Sequence, residues 1–299
     1  MKLALHPMMF TWPGGPAAIG PVLADVLDQA EAAGIHSIWP MDHFFQIPIV
    51  GRSDEPMLEG WAMAAWAAGR TRSLEFGTMV TGVHCRHPGL LAKYATTLDV
   101  LSGGRVWLGI GAGWNEEESR GLGVPFPPLA ERFERLEESL QILTRMFDGD
   151  AAPYAGQYYQ LERPLNVPGP VRRPPILVGG GGERKTLRLV AQYADACNLF
   201  EQADLRHKFD VLRGHCETAG RSYDAIVKTT TGLLGEDRDL GRMTERFAAL
   251  ADLGVDLAIV DLPDARDPRV FDFLGDLVRE LDPIGRAAPD VLGGQPAPA

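Results

Sequence analysis

The sequence predicts an α/β fold, a (β/α)8 TIM barrel with an insertion before the fifth strand. Three observations support this. Strand-like and helix-like patterns alternate without a break, and they form eight pairs. The 299-residue length suits one barrel, since such barrels run to about 250 residues undivided.

The strands are expected at 2–6, 37–40, 74–80, 106–110, 175–178, 196–200, 225–231 and 257–262, each a short apolar run. Helices are expected at about 19–33, 58–70, 88–101, 129–147, 183–194, 203–219, 239–253 and 268–282. Within 129–147, Leu129, Phe133, Leu136, Leu140, Leu143 and Phe147 recur at steps of four and three, tracing one helix face. The third helix opens at Pro88 and stops before Gly103-Gly104, both expected boundary residues. No linker interrupts the pattern, so one domain is expected over 1–285. The Pro-rich insertion 148–174 carries a hairpin signal at Tyr154, Gly156, Tyr158 and Tyr159. It reads either as packing or as partial cover for an active site. The stretch 286–299 has few large apolar residues and is expected to be disordered.

A formal net charge of −11 argues against nucleic-acid and anionic-membrane partners. Cys85, Cys197 and Cys216 form no CxxC pair, which argues against a disulfide framework or cysteine zinc site. The first residues do not read as a signal peptide, because His6-Pro7 breaks the apolar run. No apolar stretch reaches membrane-helix length. The expectation is a soluble cytoplasmic protein acting on a small molecule.

In barrels of this kind chemistry sits at the carboxyl ends of the strands. Gly111-Ala112-Gly113, followed by Trp114, lies at one such end, where missing side chains let a ligand approach the backbone. Gly179-Gly180-Gly181-Gly182 runs from a strand into a helix start. A tight turn needs only one or two glycines; four exposed amides at a helix's positive end suit a phosphate. After the second strand, His43 is the candidate for proton transfer, since histidine titrates near neutral pH. Adjacent Asp42 faces the other way along an extended chain, so it is free to bond a ligand or a neighbouring backbone group. His84 and His87 read as rim residues; His36, His207 and His215 read as structural. A barrel metallohydrolase using His6, His43 and His84 is the reading from another class. The HxH and HExxH patterns of such sites are absent.

Four segments together carry a resemblance: SIWPMDHF (37–44), HPGLLAKYATTLDVLSGGRVWLGIGAGWNEEE (87–118), RFERLEESLQIL (132–143) and ILVGGGGERKTLRLVAQYADACNLF (176–200). The chain resembles the luciferase-like monooxygenase superfamily, and within it the oxidoreductases that use the deazaflavin coenzyme F420. The resemblance implies a barrel with the coenzyme ring in its mouth and hydride exchange with a small organic substrate. It implies that Val178 and Gly179–Gly182 lie at the coenzyme phosphate, and that Gly111, Ala112, Gly113 and Trp114 lie along the linking chain. It implies that Asp42 and His43 are the strand-two pair of the site, with His43 as proton donor or acceptor. It also implies a non-proline cis peptide behind the ring at Met79-Val80. Sugar-phosphate dehydrogenases of this group carry a glutamate at the position of Trp114, so the tryptophan points to a less polar substrate. Trp114 and Phe44 are expected as apolar walls, and a homodimer is expected by analogy. The alternatives are an FMN-dependent monooxygenase of the same superfamily and a non-catalytic coenzyme-binding relative.

Overall fold

Successive residues of an extended strand face opposite sides, and this divides the core in two. In β1 (Lys2–His6), Ala4 joins an apolar cluster inside the sheet, while Leu3 and Leu5 join a larger cluster beneath the helices. The computed structural model describes residues 1–235, 238–262 and 267–285. The tail expected over 286–299 lies outside them.

After β1 come α1 (Pro16–Ala32), β2 (Ser37–Ile38), α2 (Gly60–Arg70), β3 (Glu75–Phe76), β4 (Thr81–Gly82), α3 (Pro88–Ser102) and β5 (Leu108–Gly111). Then follow α4 (Glu116–Gly121), α5 (Leu129–Phe147), the short strands β6 (Tyr154–Ala155) and β7 (Gln160–Leu161), and β8 (Ile176–Gly179). The described chain ends with α6 (Thr186–Tyr193), β9 (Ala196–Phe200), α7 (Leu205–Ala219), β10 (Val227–Gly232), α8 (Leu240–Asp252), β11 (Leu257–Asp261) and α9 (Pro268–Leu281). Nine strands form a curled parallel sheet in the order β3-β2-β1-β11-β10-β9-β8-β5-β4. An isolated parallel bridge from Phe76 to Val106 joins the β3 end of this order to the chain entering β5. Inside the curl pack Ala4, Trp39, Trp107, Leu177, Ala196, Val227, Leu257 and Ile259, with Trp39 and Trp107 edge to face. Among the described residues no helix is long and apolar enough to cross a membrane.

The structure differs from the sequence reading in three places. The single strand expected over 74–80 is broken: β3 stops at Phe76, and residues 77–80 bow inward before β4 begins. Met79-Val80 within that bow is a cis peptide, as the resemblance implied. Helix α4 was not foreseen, and residues 223–225 form a 3-10 turn where a strand was expected to begin.

The hairpin expected in the insertion is present as β6 and β7. The Glu138 carboxylate of α5 accepts bonds from the amides of Gln157, Tyr158 and Tyr159. Tyr159 stacks edge-on against His87 at the start of α3. This segment packs along α5 and α3.

Arg105, just before β5, is buried, and its guanidinium donates to the carbonyls of Ser102, Leu74, Ala68 and Thr71 and to the Thr71 hydroxyl. One side chain thus holds the ends of α2 and α3 to the entry of β3 and β5. Arg105→Met removes these charge-assisted bonds and is expected to lower unfolding free energy by about 3 kcal/mol in urea titrations. An unchanged midpoint and slope would contradict the clamp.

Candidate active site

Three glycines at the strand ends make room for the bow at 77–80. A Cβ on Gly109 would overlap the Thr78 carbonyl; on Gly111 it would meet Val80 Cγ2 at 2.9 Å; on Gly179 it would meet both Val80 methyls at 3.0 and 3.2 Å. Val80 is therefore seated between β5 and β8 as a half-buried shelf at the carboxyl end of the sheet. The space foreseen at Gly111 for a ligand is taken by this shelf. Gly113, with φ +74°, leaves room for the His84 ring, which a Cβ there would overlap.

Just beyond the end of β2, His43 Nδ1 lies 2.7 Å from the Glu118 carboxylate. The other Glu118 oxygen accepts from the amides of Phe44 at 2.9 Å and Phe45 at 3.3 Å. Glu118 is 3% exposed, although Glu116 and Glu117 beside it face solvent. Asn115 caps α4 and sets the helical phase that turns only the third glutamate inward. Burial pushes the Glu118 carboxyl up, but the bonds from His43 and from the two amides outweigh it and hold the carboxyl below its ordinary value. The Trp114 ring stands edge-on to His43, with centroids 5.3 Å apart, and Trp114 is 57% exposed.

Asp42 has a different set of partners. It is buried, ion-paired to Arg86 through both oxygens, and accepts the Thr81 hydroxyl at 2.6 Å. Arg86 also reaches Glu59, the cap of α2. Thr81 in turn accepts from Trp61 Nε1 at 2.9 Å and sits 3.0 Å from the Thr78 hydroxyl. Burial pushes the Asp42 carboxyl up, and Arg86 opposes that push. The network ties the ends of β2 and β4 to the bow.

At the end of β8 the glycine run divides. The Gly180 amide donates to the Asn198 carbonyl at 3.1 Å, and Gly180 adopts φ +124°, which only glycine holds readily. Gly181 and Gly182 are exposed, and their amides have no acceptor among the described residues. Glu183 follows; its carboxylate pairs with Lys208 and His207, and its carbonyl lies 2.8 Å from His215 Nε2. Those residues belong to α7, so a neighbouring helix holds the turn in place. Arg184 and Lys185 are exposed and form no ion pair among the described residues.

The sequence-derived site residues therefore separate. His43, Met79, Val80, Gly111, Ala112, Gly113, Trp114, Gly179, Gly180, Gly181 and Gly182 all lie at the carboxyl end of the parallel sheet. The Val178 side chain is fully buried in the helix-facing core, on the side of β8 opposite the face where Gly179 meets Val80. The histidines of the metallohydrolase reading do not converge. His6 Nδ1 meets the Trp39 carbonyl, His43 meets Glu118, and His84 Nε2 lies 2.9 Å from the Ser119 hydroxyl. Glu118 was missed, although Asn115-Glu-Glu-Glu118 has the spacing of a capping pattern that marks the third glutamate.

The family described as luciferase-like monooxygenase matches residues 13–251. An F420-dependent glucose-6-phosphate dehydrogenase from Kineococcus radiotolerans is 30% identical over 245 residues, covering 78% of this chain and 69% of that protein. An F420-dependent secondary alcohol dehydrogenase, solved in complex with an F420-acetone adduct, superposes with TM-score 0.75 at 17% identity, covering 96% of this chain and 99% of that one. A riboflavin lyase solved with modified FMN superposes with TM-score 0.78 at 14% identity, covering 99% and 96%. At such identities the superpositions speak for the fold. With its matched span and its relatives, the chain belongs to the luciferase-like monooxygenase family.

Proposed function

We propose that this protein is a coenzyme F420-dependent oxidoreductase that exchanges hydride between the deazaflavin and an uncharged organic substrate, with His43 moving the proton. One observation carries the reading. The exposed Gly181-Gly182 amides, the Val80 shelf and the Glu118-bonded imidazole lie together at the carboxyl end of one parallel sheet. The residues present fit such a coenzyme. Two unbonded amides with Arg184 and Lys185 beside them suit an anionic tail, and Val80, Ala112 and Trp114 offer apolar contact to a ring. The coenzyme's name in the Kineococcus relative favours F420.

When bound, F420 supplies a ring carbon that accepts or returns hydride. His43 Nε2, the edge not bonded to Glu118, takes a proton from a substrate hydroxyl or gives one to a carbonyl. Trp114 keeps water from the imidazole, and Asp42 holds the end of β2 through Arg86. We read β3 and β4 as one interrupted stave and the Phe76–Val106 bridge as closure, which makes an eight-staved barrel within a single domain over 1–285.

Uncharged substrate follows from the rim. Phe200 and Leu233, just beyond or at the ends of β9 and β10, are 66% and 67% exposed, and Trp114 stands at the end of β5. The nearby cations are neutralised: Arg246 bonds both oxygens of Glu201, Lys208 pairs with Glu183, and Arg86 pairs with Asp42 and Glu59. The opposite assignment, a sugar phosphate as in the Kineococcus relative's name, would have to draw on Arg184 and Lys185, the cations that stand beside the amides proposed for the coenzyme tail. Trp66 on α2, Leu90, Tyr94 and Leu101 on α3, and Val167 beside them form an exposed apolar face that suits a homodimer.

Four outcomes are expected. Absorbance titration of the purified protein will show micromolar binding of F420 and none of FMN; the reverse would make the protein a flavin enzyme. His43→Ala will bind F420 normally and lose about 10²–10⁴-fold in turnover; full turnover would remove His43 from proton transfer. With F420, kcat/KM for cyclohexanol will exceed that for glucose 6-phosphate by roughly 100-fold, and a preference for the sugar phosphate would overturn the uncharged class. In light scattering the wild-type protein will weigh twice the chain mass and Tyr94→Glu will weigh one chain; a wild-type monomer would remove the dimer.

A further inference from the structure

We propose that Glu118 is a positioning residue for His43, fixing which imidazole nitrogen carries the resting proton and compensating the charge that forms when the other nitrogen takes one. The proposal rests on the reading of His43 as the proton-transfer group. A carboxylate only accepts, so the nitrogen 2.7 Å away must be the donor and Nε2 is left with its lone pair. The amides of Phe44 and Phe45 hold the second oxygen, so the carboxylate cannot swing off the ring. Those amides belong to the segment that carries His43, so the same carboxylate sets both the backbone and the ring. Its own placement comes from the α4 cap at Asn115 and from Ser119, whose hydroxyl donates to the Asn115 carbonyl at 3.0 Å.

The neighbours leave this pair electrically conspicuous. From β1, His6 is pushed down to about 4 by burial; from the loop after β4, His84 is pushed down to about 4 by burial, with Arg132 of α5 adding to it. Cys85 is pushed up to about 12 by burial. Asp42 is held in its pair with Arg86, which also engages Glu59, and Glu116 faces solvent on α4. Between about pH 5 and 9, then, His6, His84 and Cys85 keep their charge.

Glu118→Gln is the test, because it preserves shape but puts one donor and one acceptor where two acceptors stood. An amide that keeps its oxygen on the Phe44 and Phe45 amides presents N–H to His43 and reverses the tautomer. Expected for this variant are F420 affinity within about twofold of wild type and turnover lower by roughly 10–100-fold. The acid limb of turnover in the substrate-oxidising direction should move to lower pH by about one unit, since the imidazolium loses its anion. Unchanged turnover and an unmoved limb, while His43→Ala still loses activity, would overturn the role of Glu118 and leave His43 standing. Full activity in His43→Ala would overturn both. Independently of any refolding problem in the variant, ¹⁵N-histidine NMR of the wild-type protein should show His43 protonated at Nδ1 at neutral pH. Protonation at Nε2 would overturn the proposal.

Discussion

The site depends on three places where no side chain stands. Residues 77–80 bow inward only because Gly109, Gly111 and Gly179 leave the Thr78 carbonyl and the Val80 methyls room between β5 and β8. A close-packed interior tolerates such an intrusion only where volume has been removed elsewhere. The bow interrupts the strand between β3 and β4, where the Thr78 hydroxyl meets that of Thr81, which in turn accepts from Trp61. Val80 thereby becomes a fixed floor at the glycine end of β8, and the neighbouring Met79 amide donates to the Pro40 carbonyl, three residues before His43.

Two carboxylates at this end of the sheet take opposite assignments. Asp42 and His43 are adjacent, so their side chains diverge. Asp42 is joined to a cation, and the His43 imidazole to a carboxylate from α4. Arg86 and Glu118 thus draw the same strand end from two directions, one through β4 and α2, the other through α4. That double restraint suits proton transfer, which falls off steeply when donor and acceptor drift beyond hydrogen-bond reach.

Much of the fold was legible in the sequence. Helix α5 occupies the span set by its four-three steps, and β1 and β9 coincide with their apolar runs. Legibility failed where an element's partner lies far along the chain. Gly111 and Gly113 read as space for a ligand, yet Val80 and His84 occupy that space. The run 74–80 is apolar enough for a strand, and nothing local announces the bow; the family resemblance supplied Met79-Val80. Val178 belongs to the same motif as Gly179, yet its side chain packs under the helices, because a motif spans both faces of a strand. Glu118 sat within a run of three glutamates that composition cannot tell apart, and only the Asn115 cap distinguishes it.

The most direct test of the central claim is a crystal structure of the protein soaked with F420. The account predicts a phosphate oxygen within hydrogen-bond distance of the Gly181 and Gly182 amides, with the ring resting on Val80 and His43 Nε2 facing its reactive carbon. A coenzyme bound elsewhere, or a phosphate held away from those amides, would contradict it.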